Sequence, residues 1–121
     1  KYQVFTTEKA EEDLSSIADY LIYKLLAGET ALKQIGRIEQ AVMSLEEMPE
    51  RYHVYDKEPW KEKNLRVMGV DNYLVFYITD NDNKTVIVIR IMYGKRDIES
   101  QLSHYRIQQR FGRLPYCRQQ R

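Results

Sequence analysis

NYLVFYITDNDNKTVIVIRIMYGKRD, residues Asn72 to Asp97, decides the fold. Tyr73 to Thr79 is apolar on both faces, with Tyr73, Val75 and Tyr77 on one and Leu74, Phe76 and Ile78 on the other. Such a strand belongs inside a sheet covered on both sides. Asp80-Asn81-Asp82-Asn83 follows, a run of residues that accept left-handed backbone and bond their own chain, so a tight turn is predicted. Thr85 to Tyr93 is β-branched almost throughout. Strict alternation puts Val86, Val88, Arg90 and Met92 on one face and Ile87, Ile89, Ile91 and Tyr93 on the other. A charge within this run is costly to bury alone, so Arg90 is expected to meet a cleft or a carboxylate. Gly94-Lys95-Arg96-Asp97 ends the strand.

Working outward, Tyr2 to Phe5 alternates as a short strand. Thr6-Thr7 can cap a helix, and Glu8, Glu11, Glu12 and Asp13 suit the positive end of its dipole. Ala10, Leu14, Ile17, Ala18, Leu21, Ile22 and Leu25 recur at helical spacing, which predicts a helix to about Ala27 with Gly28 as its stop. Ala31, Ile35, Ile38, Val42, Leu45 and Met48 give a second stripe, ended by Pro49. With so short a turn between them, the helices form an antiparallel hairpin, and the downstream strands are the surface they cover. Asn64 to Val70 reads as one more strand, with Arg66 opposite Leu65 and Val67. The aromatic loop Tyr52 to Trp60 before it reads as packing over the sheet edge. The class is α+β: a small antiparallel sheet with an N-terminal strand and a two-helix hairpin packed on one face.

The totals bound the rest. A chain of 121 residues, 43% apolar and 31% charged, has the balance of one globular domain. No apolar run approaches the roughly 20 residues of a membrane helix, and no secretory leader is read at the start. The single cysteine, Cys117, fits a reducing, cytoplasmic setting. His53 and His104 stand apart, so neither a metal nor a cofactor is expected. The net charge of +1 hides an asymmetry. Residues 101–121 hold five Arg and no acid, leaving 14 basic and 18 acidic side chains in the first hundred. Residues 103–121 therefore read as a basic extension, partly disordered, after a domain of residues 1–102.

Several stretches together carry a family resemblance. They are Ala10-Glu11-Glu12-Asp13-Leu14, Ile17-Ala18-Asp19-Tyr20, Ile38 to Leu45 with Met48-Pro49, Tyr73-Leu74-Val75-Phe76-Tyr77, and Ile89 to Asp97. In this order and spacing the chain resembles the RelE/ParE superfamily of toxins from bacterial type II toxin–antitoxin modules. The resemblance implies a RelE-like fold and a toxin held inactive by a cognate antitoxin. It leaves two activities open: a ribosome-dependent mRNA endonuclease like RelE, or an inhibitor of DNA gyrase like ParE without catalysis of its own. Arg96, preceded by Lys95, matches the Arg that follows the last strand in the nucleases. Leu74 and Leu102 stand where those nucleases often carry Arg and Tyr, and Tyr105 is the nearest substitute for the latter.

Metal-free RNA cleavage needs a base for the 2′-hydroxyl, a clamp for the phosphate and an acid for the leaving oxygen. The candidate site is Arg66, Arg90, Lys95, Arg96 and Tyr93. The three Arg would clamp phosphate, Lys95 would exchange the proton, and Tyr93 would stack or donate. The competing reading pairs Arg90 and Arg96 with Asp97, Glu99 or helix carboxylates and leaves Arg66 and Lys95 solvated. An antitoxin segment is expected to fill the cationic cleft or to add a strand at a free sheet edge, for which Tyr2 to Phe5 is a candidate.

Overall fold

The computed structural model describes residues 1–26 and 28–94, with the backbone of Cys117–Gln119. Strand β1 (Gln3–Thr7) leads into helix α1 (Glu8–Asp19), a π-helical turn (Tyr20–Lys24) and helix α2 (Gly28–Met43). Two short 3-10 turns (Ser44–Glu46 and Pro49–Arg51) and the aromatic loop bring the chain to β2 (Arg66–Val70), β3 (Tyr73–Asp80) and β4 (Thr85–Tyr93). A last strand, β5 (Cys117–Gln119), completes a sheet of order β2-β3-β4-β1-β5. The helical hairpin on a small sheet is the α+β arrangement expected from the stripes. The sheet is mixed, because β1 runs parallel to β4, with Gln3 opposite Thr85 and Thr6 opposite Val88.

The caps and turns follow their local chemistry. Thr7 Oγ1 accepts from the Ala10 N–H at 3.1 Å and donates to the Ile89 carbonyl at 3.0 Å, so one side chain caps α1 and ties it to β4. Asp80 Oδ1 accepts from the N–H groups of Asp82 and Asn83 and closes the β3–β4 turn. The first helix ends differently from the stripe's prediction. The α-helical run stops at Asp19, and the π-turn carries Tyr20–Lys24. The break falls at Leu26, in left-handed backbone (φ 51°), and Gly28 opens α2 instead of ending α1. A π-turn adds a residue to the helical repeat and so rotates later positions off the stripe. Leu25, the stripe's last member, is consequently exposed.

Two apolar clusters lie on the two faces of the sheet. Under the helices, Ala10, Leu14, Ile38, Val42 and Leu45 pack on Val4, Met68, Val75, Tyr77, Val86, Val88 and Ile91. On the opposite face, Trp60 and Tyr55 of the aromatic loop pack with Leu65, Val67, Phe76, Ile87, Ile89 and Met92. The alternation read for β4 is corrected here. Phe76 faces Arg90 while Tyr77 faces Val88, so the register shifts across Ile89. That bulge puts Ile91 with Val86 and Val88, and Met92 with Ile87 and Ile89.

The sheet edges differ from expectation too. β1 is interior, because its outer side pairs with β5, Thr6 opposite Arg118. The sequence shows no period beyond Arg110 that foretells this pairing. At the other end, His53–Tyr55 lines the first half of β2, through Val67 N–H to the His53 carbonyl and Tyr55 N–H to the Leu65 carbonyl. Among the described residues, no backbone hydrogen bond reaches the outer side of Met68–Val70.

Candidate functional site

Arg90 is the charge that the β-branched run made conspicuous, and the bulge explains its place. It is only 5% exposed, and its guanidinium forks onto Asp13 of α1, Nε to Oδ2 at 2.7 Å and Nη2 to Oδ1 at 3.0 Å. Asp13 Oδ2 also accepts from the Ile91 N–H at 2.9 Å. One carboxylate thus neutralises the buried cation and satisfies a backbone donor just past the register shift. Such a bidentate, charge-assisted pair is among the strongest side-chain contacts a protein makes. It commits those donors to the fold.

Arg66 sits at the start of β2, opposite Tyr77. Its Nη1 donates to the carbonyls of Tyr52 at 2.6 Å and Glu50 at 3.3 Å, holding the turn that enters the aromatic loop. Its Nε is buried without a partner among the described residues. Arg51 supports the same turn, donating to the carbonyls of Glu47 and Met48 and lying 4.7 Å from the centre of the Tyr52 ring. Tyr77 donates its hydroxyl to the Pro49 carbonyl, and burial pushes its pKa up to about 12. The sequence singled out neither Arg51 nor this turn, because carbonyl acceptors leave no mark on residue type.

Arg66 and Arg90 therefore do not open together onto one concave surface: one fastens a loop, the other a helix. Tyr93, at the end of β4, is partly exposed and meets Tyr73 edge to face, ring centres 5.7 Å apart. Burial raises the pKa of Tyr73, and the phenols of Tyr93 and Tyr20 add to the shift, so three tyrosines gather at this end of the sheet. Lys95, Arg96, Leu102, His104 and Tyr105 lie outside the described residues. Among the described residues, no group of three or more His, Cys, Asp or Glu could hold a metal ion.

A second tie escaped the sequence reading. Asp71, in left-handed backbone (φ 57°) at the β2–β3 turn, accepts from Arg37 Nε at 2.7 Å and Gln34 Nε2 at 2.9 Å, both on α2. These bonds hold its carboxyl below its usual pKa. Each helix is thus fastened to the sheet by one carboxylate and one guanidinium, Asp13–Arg90 for α1 and Asp71–Arg37 for α2.

Residues 4–98 match the family described as "ParE toxin of type II toxin-antitoxin system, parDE". The chain belongs to this family. Its fold is also that of a solved chain from "Chromosomal ParDE TA system from P. aeruginosa", at a TM-score of 0.63 and 22% identity, over 76% of this chain and 95% of that one. No curated protein matches. As a ParE-family toxin of a type II system, the chain has a cognate antitoxin as its partner. No helix among the described residues is long and apolar enough to cross a membrane.

Proposed function

We propose that this ParE-family toxin arrests growth in the bacterial cytoplasm by binding DNA gyrase, without a catalytic step of its own. The observation that carries this reading is the commitment of Arg66 and Arg90. A phosphate clamp needs guanidinium donors aimed at a cleft. Arg90 instead spends its fork on Asp13 inside the core, and Arg66 spends Nη1 on loop carbonyls. The family assignment supports the same reading. Lys95 and Arg96, with Tyr93 next to them in sequence, then serve as contact residues for the target, and residues 103–121 form a basic extension of the 1–102 toxin domain that returns to its sheet through β5. The antitoxin binds through a segment that folds along the toxin, by a strand at the open Met68–Val70 edge, a helix, or both.

Induced expression with two readouts in the same cells tests the target. Gyrase-linked DNA breaks with intact mRNA are expected. Mapped cuts within translated mRNA, with unbroken DNA, would instead assign a RelE-like endonuclease.

A further inference from the structure

The described surface holds seven exposed large apolar side chains, and five of them (Tyr20, Tyr23, Leu25, Leu26 and Leu32) fall between residues 20 and 32. Leu26 is 85% exposed and Tyr23 73%. Local structure produces this display at a cost. The π-turn rotates Leu25 off the core stripe, and Leu26 adopts left-handed backbone that leucine disfavours, with no packing in return. Helix α2 packs against the π-turn, so Leu32 in its second turn belongs to the same end of the hairpin. An apolar concentration of this kind marks an interaction surface.

The charges around it bear on what the occupant can be. Asp19 and Lys24 flank the patch on the first arm, Glu29 and Lys33 on the second, and all four are exposed. None forms an ion pair with another described residue. Two acids and two bases offer no net attraction to a phosphate backbone or to a uniformly charged peptide. They do complement themselves: a two-fold axis through the tip can set the Asp19/Lys24 arm of one copy against the Glu29/Lys33 arm of the other, apolar centre on apolar centre. The exposed parts of these side chains come to roughly 600 Å² per copy on typical side-chain areas, somewhat below the ~800 Å² per partner of a standard interface. That size belongs to transient association.

We propose that the hairpin tip is a self-association surface, through which the free toxin forms a two-fold dimer at micromolar concentration. Sedimentation velocity of the purified full chain, from low to several hundred micromolar, tests it. The expected result is a concentration-dependent shift from the mass of one chain to that of two. Leu26→Asp should keep the circular dichroism spectrum and melting curve of a folded protein and remain monomeric. Charge exchange separates a built interface from a sticky patch. Lys24→Glu/Lys33→Glu and Asp19→Lys/Glu29→Lys should each self-associate at least tenfold more weakly, and an equimolar mixture should recover a heterodimer. A parent chain monomeric throughout the range overturns the proposal, as does undiminished dimerisation of Leu26→Asp. A monomeric parent whose antitoxin binding is lost in Leu26→Asp would assign the patch to the antitoxin instead.

Discussion

The Arg90 site and the hairpin tip depart from ordinary burial in opposite directions. At the first, β4 carries a charge into the core. At the second, the π-turn carries leucines and tyrosines out of it. The difference is in how each departure is resolved. Arg90 finds a carboxylate and a bulge within the same chain, with Asp13 accepting from its Nε, its Nη2 and the Ile91 N–H. The tip finds nothing among the described residues to cover Leu26, and the proposed second copy would supply that cover. A buried charge with an internal partner therefore reads as fold, and an exposed apolar group in unfavourable backbone reads as contact. For Arg90 the structure selects the helix carboxylate from the two partners the sequence allows, whereas Leu25 departs from the core position its stripe predicts.

The comparison breaks most visibly at Asp13. Asp13→Ala leaves a buried guanidinium and the Ile91 N–H without their acceptor, and should cost about 3–5 kcal/mol in urea unfolding. Replacing both partners, Asp13→Leu with Arg90→Met, should recover most of that loss, since an apolar pair of similar volume avoids the desolvation penalty. A double variant no more stable than Asp13→Ala would mean that Arg90 is held by something other than its ion pair.

Next in size is the core beneath the hairpin. Ile38→Ala should destabilise by about 2–5 kcal/mol, because Ile38 is fully buried among Ala10, Leu14 and the strands. The tip should behave in the opposite way. Leu26→Gly should leave stability unchanged or raise it by up to about 1 kcal/mol, as relief of left-handed strain offsets the lost backbone restriction. Measured side by side by thermal melting, the two substitutions separate fold residues from display residues.

Tyr77→Phe deletes the bond to the Pro49 carbonyl and should cost about 1 kcal/mol near neutral pH. Its pH dependence carries a sign. Tyr77 keeps its proton to about 12 in the fold against an ordinary value of 10.0. The folded state therefore binds more protons between these values, and stability must fall as pH rises from 10 toward 12. Tyr77→Phe should flatten that fall in a series of melts. Asp71 gives the smallest effect and the opposite dependence. Its carboxyl is held below the usual range by Arg37 and Gln34, so the stability it contributes is present above that range and lost as pH falls through the depressed value. Being exposed to solvent and salt, the Asp71→Asn change should be visible only as a shallower acid limb at low ionic strength.

Much of the fold was legible because it is local. The stripes of Leu14–Leu21 and Ile38–Val42, the Thr7 cap and the Asp80 turn are all written within a few residues of where they act. What escaped is non-local or costs no residue type. Nothing in a β-branched run marks Ile89 as the point where the register slips. The sequence asked for a carboxylate near Arg90, but Asp13 lies 77 positions away and only the packing of α1 on β4 selects it. The parallel pairing of β1 with β4 and the β1–β5 contact likewise depend on the whole topology. The sequence leaves Arg66 solvated or reactive because backbone carbonyls, its actual partners, leave no mark on residue type.

The central claim is that the toxin acts by binding gyrase while Arg90 serves the fold. Its most direct test takes the purified Asp13→Leu/Arg90→Met chain, shown to be folded, into a supercoiling assay with purified gyrase and, in parallel, a translating extract with mapped mRNA. The account predicts that this chain inhibits supercoiling and accumulates cleaved DNA as the parent does, with mRNA left whole. Cut mRNA from the parent chain, lost in the folded double variant, with gyrase untouched by either, would contradict it.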